Sequence, residues 1–414
     1  MKKKRVVVTG LGIVSCFGSD LSNFFNSLLN ANEAVETLDL FDQEFSTRFG
    51  VPVKDFDPLK YLSKKEARRV DRAMAFAVNA GMDAVQNAKL DVQTLDKSRC
   101  GVIIGSGMGG MQSFVNGVQA MTLKSYKRVS AFFVPHIITN MPGALLSMQL
   151  GFNGPNYSIS TACATANYSM LAAYNHIQSG ECDVMIAGGV EASMNEMCFA
   201  GFASIRALSR RNDTPQTASR PWDKSRDGFV MGEGCGALIL ESEEHALKRG
   251  ANILCEFNGG AITNDAYHMT ETMPQGDQVA VCIQKALQNT NIEPQRVNYI
   301  NAHATSTPVG DLCEVRAIKK VFSEQIGTIK MNGTKSIIGH ALGASSALEF
   351  IATILSIKEG KIHPTKNSTD LEDELAEFDV VQGQMQDCEI DVALKNSFGF
   401  GGHNSCILAS RYRG

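Results

Sequence analysis

Two segments 180 residues apart carry the same helix. ATANYSMLAAYNHIQSG (Ala164–Gly180) and ASSALEFIATILSIKEG (Ala344–Gly360) are both rich in small residues, and both place an isoleucine three residues before a closing glycine. In the first, Met170, Leu171, Ala173, Tyr174 and Ile177 fall at helical spacing, and glycine is a common helix stop. Strands alternate with helices on either side of each segment. This echo predicts a duplicated α/β fold with two central helices back to back. The expected division is 1–250 and 251–414. No low-complexity stretch or flexible linker separates the halves, so they are expected to pack as one body.

The first copy of the helix is preceded by SISTAC, in which Tyr157, Ile159 and Thr161 alternate with small residues like the end of a buried strand. Cys163 therefore sits where strand turns into helix; the offset puts Gly343 beneath it in the second copy. A helix N-terminus carries unpaired N–H groups and partial positive charge, which lowers a thiol pKa and makes a nucleophile. Taken alone, the stretch reads more readily as an inert buried cysteine, the usual fate of that residue. Alanines 162, 164 and 166 leave room for a substrate.

Composition narrows the class. The net charge of −4 argues against a general nucleic-acid binder. The 11 cysteines are scattered, with no CxxC and no zinc-site spacing, which predicts a reducing compartment and no metal centre. No run approaches the roughly 18 apolar residues of a membrane span, so a cytoplasmic protein without membrane insertion is expected. VVVTGLGIV reads as a first strand, since its GLG lacks the third glycine of a dinucleotide fingerprint. CGVIIGSGMGG is likewise strand and glycine turn, without the GK[ST] of a phosphate loop. Lys64, Lys65, Arg68 and Arg69 share one helical face, and Lys124, Lys127 and Arg128 form a second basic cluster. Either is a solvated face or a docking patch for an acidic partner.

Three reactive groups stand beside glycine-rich turns: Cys163, His303 in NAHATSTPVGD and His340 in GTKSIIGHALGAS. A cysteine beside histidine is a route to a thioester acyl-enzyme. Two histidines allow proton transfer, or stabilisation of an enolate by neutral imidazole N–H groups. The last loop, NSFGFGGHN, offers backbone N–H groups to an oxyanion. Lys335 is expected to be partly buried; a buried lysine needs a partner, for which Glu314 is the candidate.

TACATA, NAHATSTPVGD, GTKSIIGHALGAS and NSFGFGGHN, in that order and spread over the chain, resemble the elongating β-ketoacyl-[acyl-carrier-protein] synthases of type II fatty-acid synthesis. The resemblance implies a thiolase-like fold with a five-layered α-β-α-β-α core, in a homodimer. It implies that Cys163 takes the acyl chain, and that His303 and His340 assist decarboxylation of malonyl carrier protein. Lys335 would order the site with Glu314, and the N–H groups of Cys163 and Phe400 would form the oxyanion hole. Thr305 and Thr307 match threonines that contact the phosphopantetheine arm, which the acyl carrier protein delivers; no other cofactor is implied. Met108, Phe202 and Phe398 fall at substrate-binding positions, and Lys65, Arg68, Arg69, Lys127, Arg128 and Arg206 match the docking surface for the acidic carrier. His403 replaces a threonine of many bacterial members, as in plastid ones. A type II polyketide ketosynthase is the rival within the class. A non-condensing chain-length subunit is the rival outside it, and Cys163 speaks against that.

Overall fold

A computed structural model of the chain describes residues 3–39, 41 and 44–414. Ten strands form one sheet. Their spatial order is Asp379–Val380, Lys330–Asn332, Val297–Asn301, Val392–Gly399, His403–Ser410, Cys255–Asn264, Val6–Val14, Gly234–Ser242, Val184–Glu191 and Cys100–Gly105. The arrangement is written twice, outward from the middle. Val6–Val14 pairs antiparallel with Gly234–Ser242, that strand antiparallel with Val184–Glu191, and that one parallel with Cys100–Gly105. In the same way Cys255–Asn264 pairs antiparallel with His403–Ser410, then Val392–Gly399 follows antiparallel and Val297–Asn301 parallel. Within the sheet, among the described residues, the two copies pair at Val7–Glu256 and Val8–Cys255.

The duplicated helices are Thr165–Gln178 and Ser345–Glu359. They pack on each other, and each also packs on strands of both copies. They form the middle layer between the two wings of the sheet. Arg72–Asn87 and Met141–Leu150 cover the outside of one wing, and Asp277–Thr290 covers the outside of the other, with Pro308–Phe322 packed beside it. The duplicated α/β architecture expected from the echo, with the five layers that the resemblance implies, is therefore present. Single-face amphipathicity does not describe the second central helix: Ser345 to Ile357 are buried on every side, because sheet lies both above and below. Its small residues permit close approach. A Cβ added at Gly236 would stand 2.7 Å from that of Ala347.

Both central helices begin in the same turn. Ala162 has φ +50° and Leu342, 180 residues on, φ +47°. Neither helix has a side-chain cap at its N-terminus. The amide of Asn167 instead donates to Ser346 Oγ of the twin at 3.1 Å. Glu191, at the end of strand Val184–Glu191, joins the second of these turns to the glycine loop that follows Cys100–Gly105. Its carboxylate accepts from the amides of Gly107, Met108 and Gly343 and from the Ser106 hydroxyl, at 2.9–3.1 Å.

Candidate active site

Four turns converge on a cavity of about 420 Å³ lined by Cys163, His303, His340 and Phe400, among others. Cys163 lies just outside the first central helix, and its carbonyl accepts from Ser397 Oγ at 2.9 Å. His303 follows the strand Val297–Asn301, in a turn whose Ala304 and Ser306 have φ +40° and +68°. His340 follows Gly339 and is held by its backbone, donating to Val230 and accepting from Gly232. The last hairpin brings Gly399 against Cys163, so close that an added Cβ would lie 2.4 Å from the Thr161 carbonyl and 3.2 Å from the Cys163 nitrogen. The N–H groups of Cys163 and Phe400 donate to no other backbone group among the described residues. Both residues line the cavity.

The histidines have assigned tautomers. Lys335 Nζ donates to the His303 carbonyl at 2.6 Å, to Glu349 Oε1 at 2.5 Å and to His303 Nδ1 at 3.2 Å. An ammonium has no lone pair to offer, so Nδ1 of His303 is the acceptor and Nε2 carries the hydrogen. His340 Nδ1 is 2.7 Å from Ser345 Oγ, whose hydrogen has no other acceptor among the described residues. His340 is therefore also an Nε2–H donor. Burial, followed by the positive charge of Lys335, holds both rings well below the usual 6.5. Both are neutral at pH 7. The ring centres lie 5.6 Å apart, with Phe398 at 5.3 Å from His303 and Phe229 at 5.0 Å from His340.

Two expectations are corrected. Glu314 is not the partner of Lys335. It accepts from the amides of His303 and Ala304 at 2.8 and 2.9 Å and from Asn396 Nδ2 at 3.0 Å, and so fixes the His303 turn. The ion pair of Lys335 is with Glu349 on the second central helix. Nor is Cys163 a ready-made thiolate. Burial pushes its thiol up to about 12, with Lys335 pulling the other way and Glu191 adding to the rise. The helix proper starts two residues later, at Thr165, and the enclosing walls outweigh its end. The thiol must lose its proton when substrate arrives.

The other predicted residues divide. Phe202, Phe398, Thr305, Thr307 and Arg206 line the cavity, and the two threonine hydroxyls are 2.9 Å apart. Met108 does not line it; it packs in an apolar cluster that also holds Cys163, Phe202 and Phe199. Lys65, Arg68, Arg69, Lys127 and Arg128 are exposed and lie off the cavity. Their two segments are tied together: His136 Nε2 meets the Arg69 carbonyl at 2.8 Å, and the Arg69 guanidinium lies over Phe132. His403 packs edge-on against Tyr168, at the base of the hairpin. Glu349, Ser345 and Phe229 went unread. Glu349 had a signal, as the only charged residue in SSALEFIATILSI.

Solved structures of ketosynthases share this architecture over nearly the whole chain. A type II polyketide synthase ketosynthase, in complex with its acyl-carrier protein, is 33% identical with a TM-score of 0.93, covering 99% of this chain and 100% of that one. A β-ketoacyl synthase from Burkholderia phymatum is 31% identical with a TM-score of 0.92, over the same shares. Fold and sequence thus put the chain in the ketosynthase class. Residues 3–246 match the family model of the β-ketoacyl synthase N-terminal domain, and residues 254–369 that of the C-terminal domain; the chain belongs to the β-ketoacyl synthase family. It is 51% identical to the chloroplastic 3-oxoacyl-[acyl-carrier-protein] synthase I of Arabidopsis thaliana, over 99% of this chain and 87% of that protein. It is 44% identical to 3-oxoacyl-[acyl-carrier-protein] synthase 2 of Synechocystis, over 100% and 99%.

Proposed function

We propose that the protein is a β-ketoacyl-[acyl-carrier-protein] synthase that elongates fatty acyl chains by decarboxylative condensation. The observation that carries this reading is one cavity lined by a thiol, two neutral imidazoles with assigned Nε2–H groups and Phe400. Fatty-acid rather than polyketide elongation is supported by 51% identity to a 3-oxoacyl synthase against 33% to a polyketide ketosynthase.

In the first half-reaction the Cys163 sulfur attacks the thioester of an acyl carrier protein. The oxyanion rests on the N–H groups of Cys163 and Phe400, the carrier leaves as its phosphopantetheine thiol, and the proton of Cys163 passes to it. In the second, malonyl carrier protein enters past Thr305 and Thr307. Its C–C bond breaks and carbon dioxide leaves, with the electron pair forming a thioester enolate held by the two Nε2–H groups. Phe229 and Phe398 disfavour the departing carboxylate more than its uncharged product. The enolate carbon attacks the acyl thioester, a new C–C bond forms, and Cys163 is released and takes up a proton. The chemistry calls for no cofactor beyond the carrier's arm.

Arg206 at the cavity and the joined segments bearing Lys65, Arg68, Arg69, Lys127 and Arg128 suit an acidic carrier protein, whose encounter they would steer. A homodimer is supported by the apolar stripe of helix Met111–Leu123, where Phe114, Val118 and Met121 are exposed at helical spacing. Among the described residues no helix is long and apolar enough to cross a membrane.

Intact-mass measurement after incubation with lauroyl carrier protein tests the reading. Wild type should gain one acyl group and Cys163→Ser none. Wild type that accepts no acyl chain of any length would sink it.

A further inference from the structure

Two lysines are fully buried among the described residues, Lys335 and Lys395. The condensation uses the first and leaves the second without a task. Lys395 stands in the middle of strand Val392–Gly399, away from the cavity. Its Nζ is 2.7 Å from Glu349 Oε2 and donates to the Asn396 carbonyl. The other oxygen of Glu349 is 2.5 Å from Lys335 Nζ, which is 3.2 Å from His303 Nδ1. A buried line of contacts therefore runs from Lys395 through Glu349 and Lys335 to His303.

We propose that Lys395 is a positioning residue for the decarboxylation step: it occupies one oxygen of Glu349, so that the other holds Lys335 on His303 Nδ1. The inference rests on the condensing reading above. Without Lys395, both oxygens of Glu349 compete for Lys335, whose ammonium is then drawn from the imidazole towards the carboxylate. Nδ1 loses its donor, and the Nε2–H tautomer loses its enforcement. Removing the positive charge also leaves Glu349 less compensated, which raises the proton affinity of both histidines.

The groups facing Lys395 come from every neighbouring element. Glu314 is in reach from Pro308–Phe322 and Cys406 from the adjoining strand, Asn301 pairs with it across the sheet, and Asn167 of the first central helix donates to its carbonyl. Two carboxyl groups, Glu314 and Glu349, thus share two lysines in a region closed to water. Burial pulls Lys395 down to about 8, against Glu349 and with Lys335. Its positive charge is present below that pH and lost above it.

The test is K395M in the full chain. Acylation of Cys163 from lauroyl carrier protein and carbon dioxide release from malonyl carrier protein are measured side by side from pH 5.5 to 9.5. K395M should lose about tenfold more decarboxylation than acylation, and its acid limb should move up by about one pH unit. Wild-type decarboxylation should fall off near pH 8, and K395M should lack that limb. Equal losses in both half-reactions with unmoved limbs would make Lys395 a packing residue and overturn the proposal, as would wild-type behaviour throughout. If K395M does not fold, wild type alone decides: an alkaline limb near pH 8 in decarboxylation but not acylation supports the role, and a level profile overturns it. Wild type that neither takes an acyl group nor releases carbon dioxide overturns the condensing reading, and this role with it.

Discussion

Gly399 shows how little room the site leaves at a single atom. Hydrogen is all that fits between its Cα and the Thr161 carbonyl. Gly399→Ala should therefore push the last hairpin away from Cys163 and part the two backbone N–H groups. A loss of about 100-fold in kcat is expected, the size seen when one oxyanion donor is removed, with KM for the carrier little changed. An Ala variant of wild-type kcat would show that Phe400 does not supply the second donor. Residues of this kind were legible as types: the glycine turns marked Cys163, His303 and His340 because reactive groups stand exposed at such turns. Their electrostatics were not. The thiol's upward shift comes from burial that only the assembled cavity supplies. Likewise Glu314 and Glu349 both sit on helices, and only the packing of those helices decides which one meets Lys335.

At the level of elements, the two central helices were readable because small residues repeat at a fixed offset. The sheet that encloses them was readable as two alternating sets of strands, but not as one continuous surface. Its joint is two residue pairs long, too short to leave a pattern. The turn that starts the second helix and the glycine loop after Cys100–Gly105 share one carboxylate. Glu191→Ala would leave the Gly107, Met108 and Gly343 amides and the Ser106 hydroxyl without their acceptor. At about 1–3 kcal/mol for each buried group left unpaired, and with water replacing part of the loss, a destabilisation of about 3 kcal/mol is expected. Urea unfolding of the variant against wild type measures it, and an unchanged midpoint would show that the strand holds the turns unaided.

For the molecule as a whole, pH acts through two opposed sets of buried groups. Burial holds His303 and His340 well below 6.5 and His363 down to about 4. Unfolding frees them to take protons, so their contribution is present above pH 6.5 and lost as pH falls. Burial pushes Glu191 up to about 7, Asp311 to about 6 and Glu314 upward as well. Their contribution is present below the ordinary carboxylate range and lost as pH rises. Between about pH 4.5 and 6.5 the two sets offset each other. At lower pH a third set dominates. Hydrogen bonds from Arg99 hold Asp183 down to about 2, and Arg249 and His245 overcome burial to do the same for Glu241. Those contributions vanish as pH drops through their folded values. The thermal midpoint should therefore stay within about 3 °C from pH 5 to 7 and fall steeply below about pH 4. A steady decline from pH 7 to 5 would mean that the histidines outweigh the carboxyls.

The paired turns at Ala162 and Leu342 bear on how backbone strain is interpreted in enzymes. A non-glycine residue at positive φ beside a nucleophile invites the view that catalysis requires the distortion. Here the same distortion recurs in the second copy, one residue before Gly343, where no nucleophile stands. The molecule carries its own control experiment. The contorted bend belongs to the scaffold common to both copies, and the chemistry was placed on one of two bends already there.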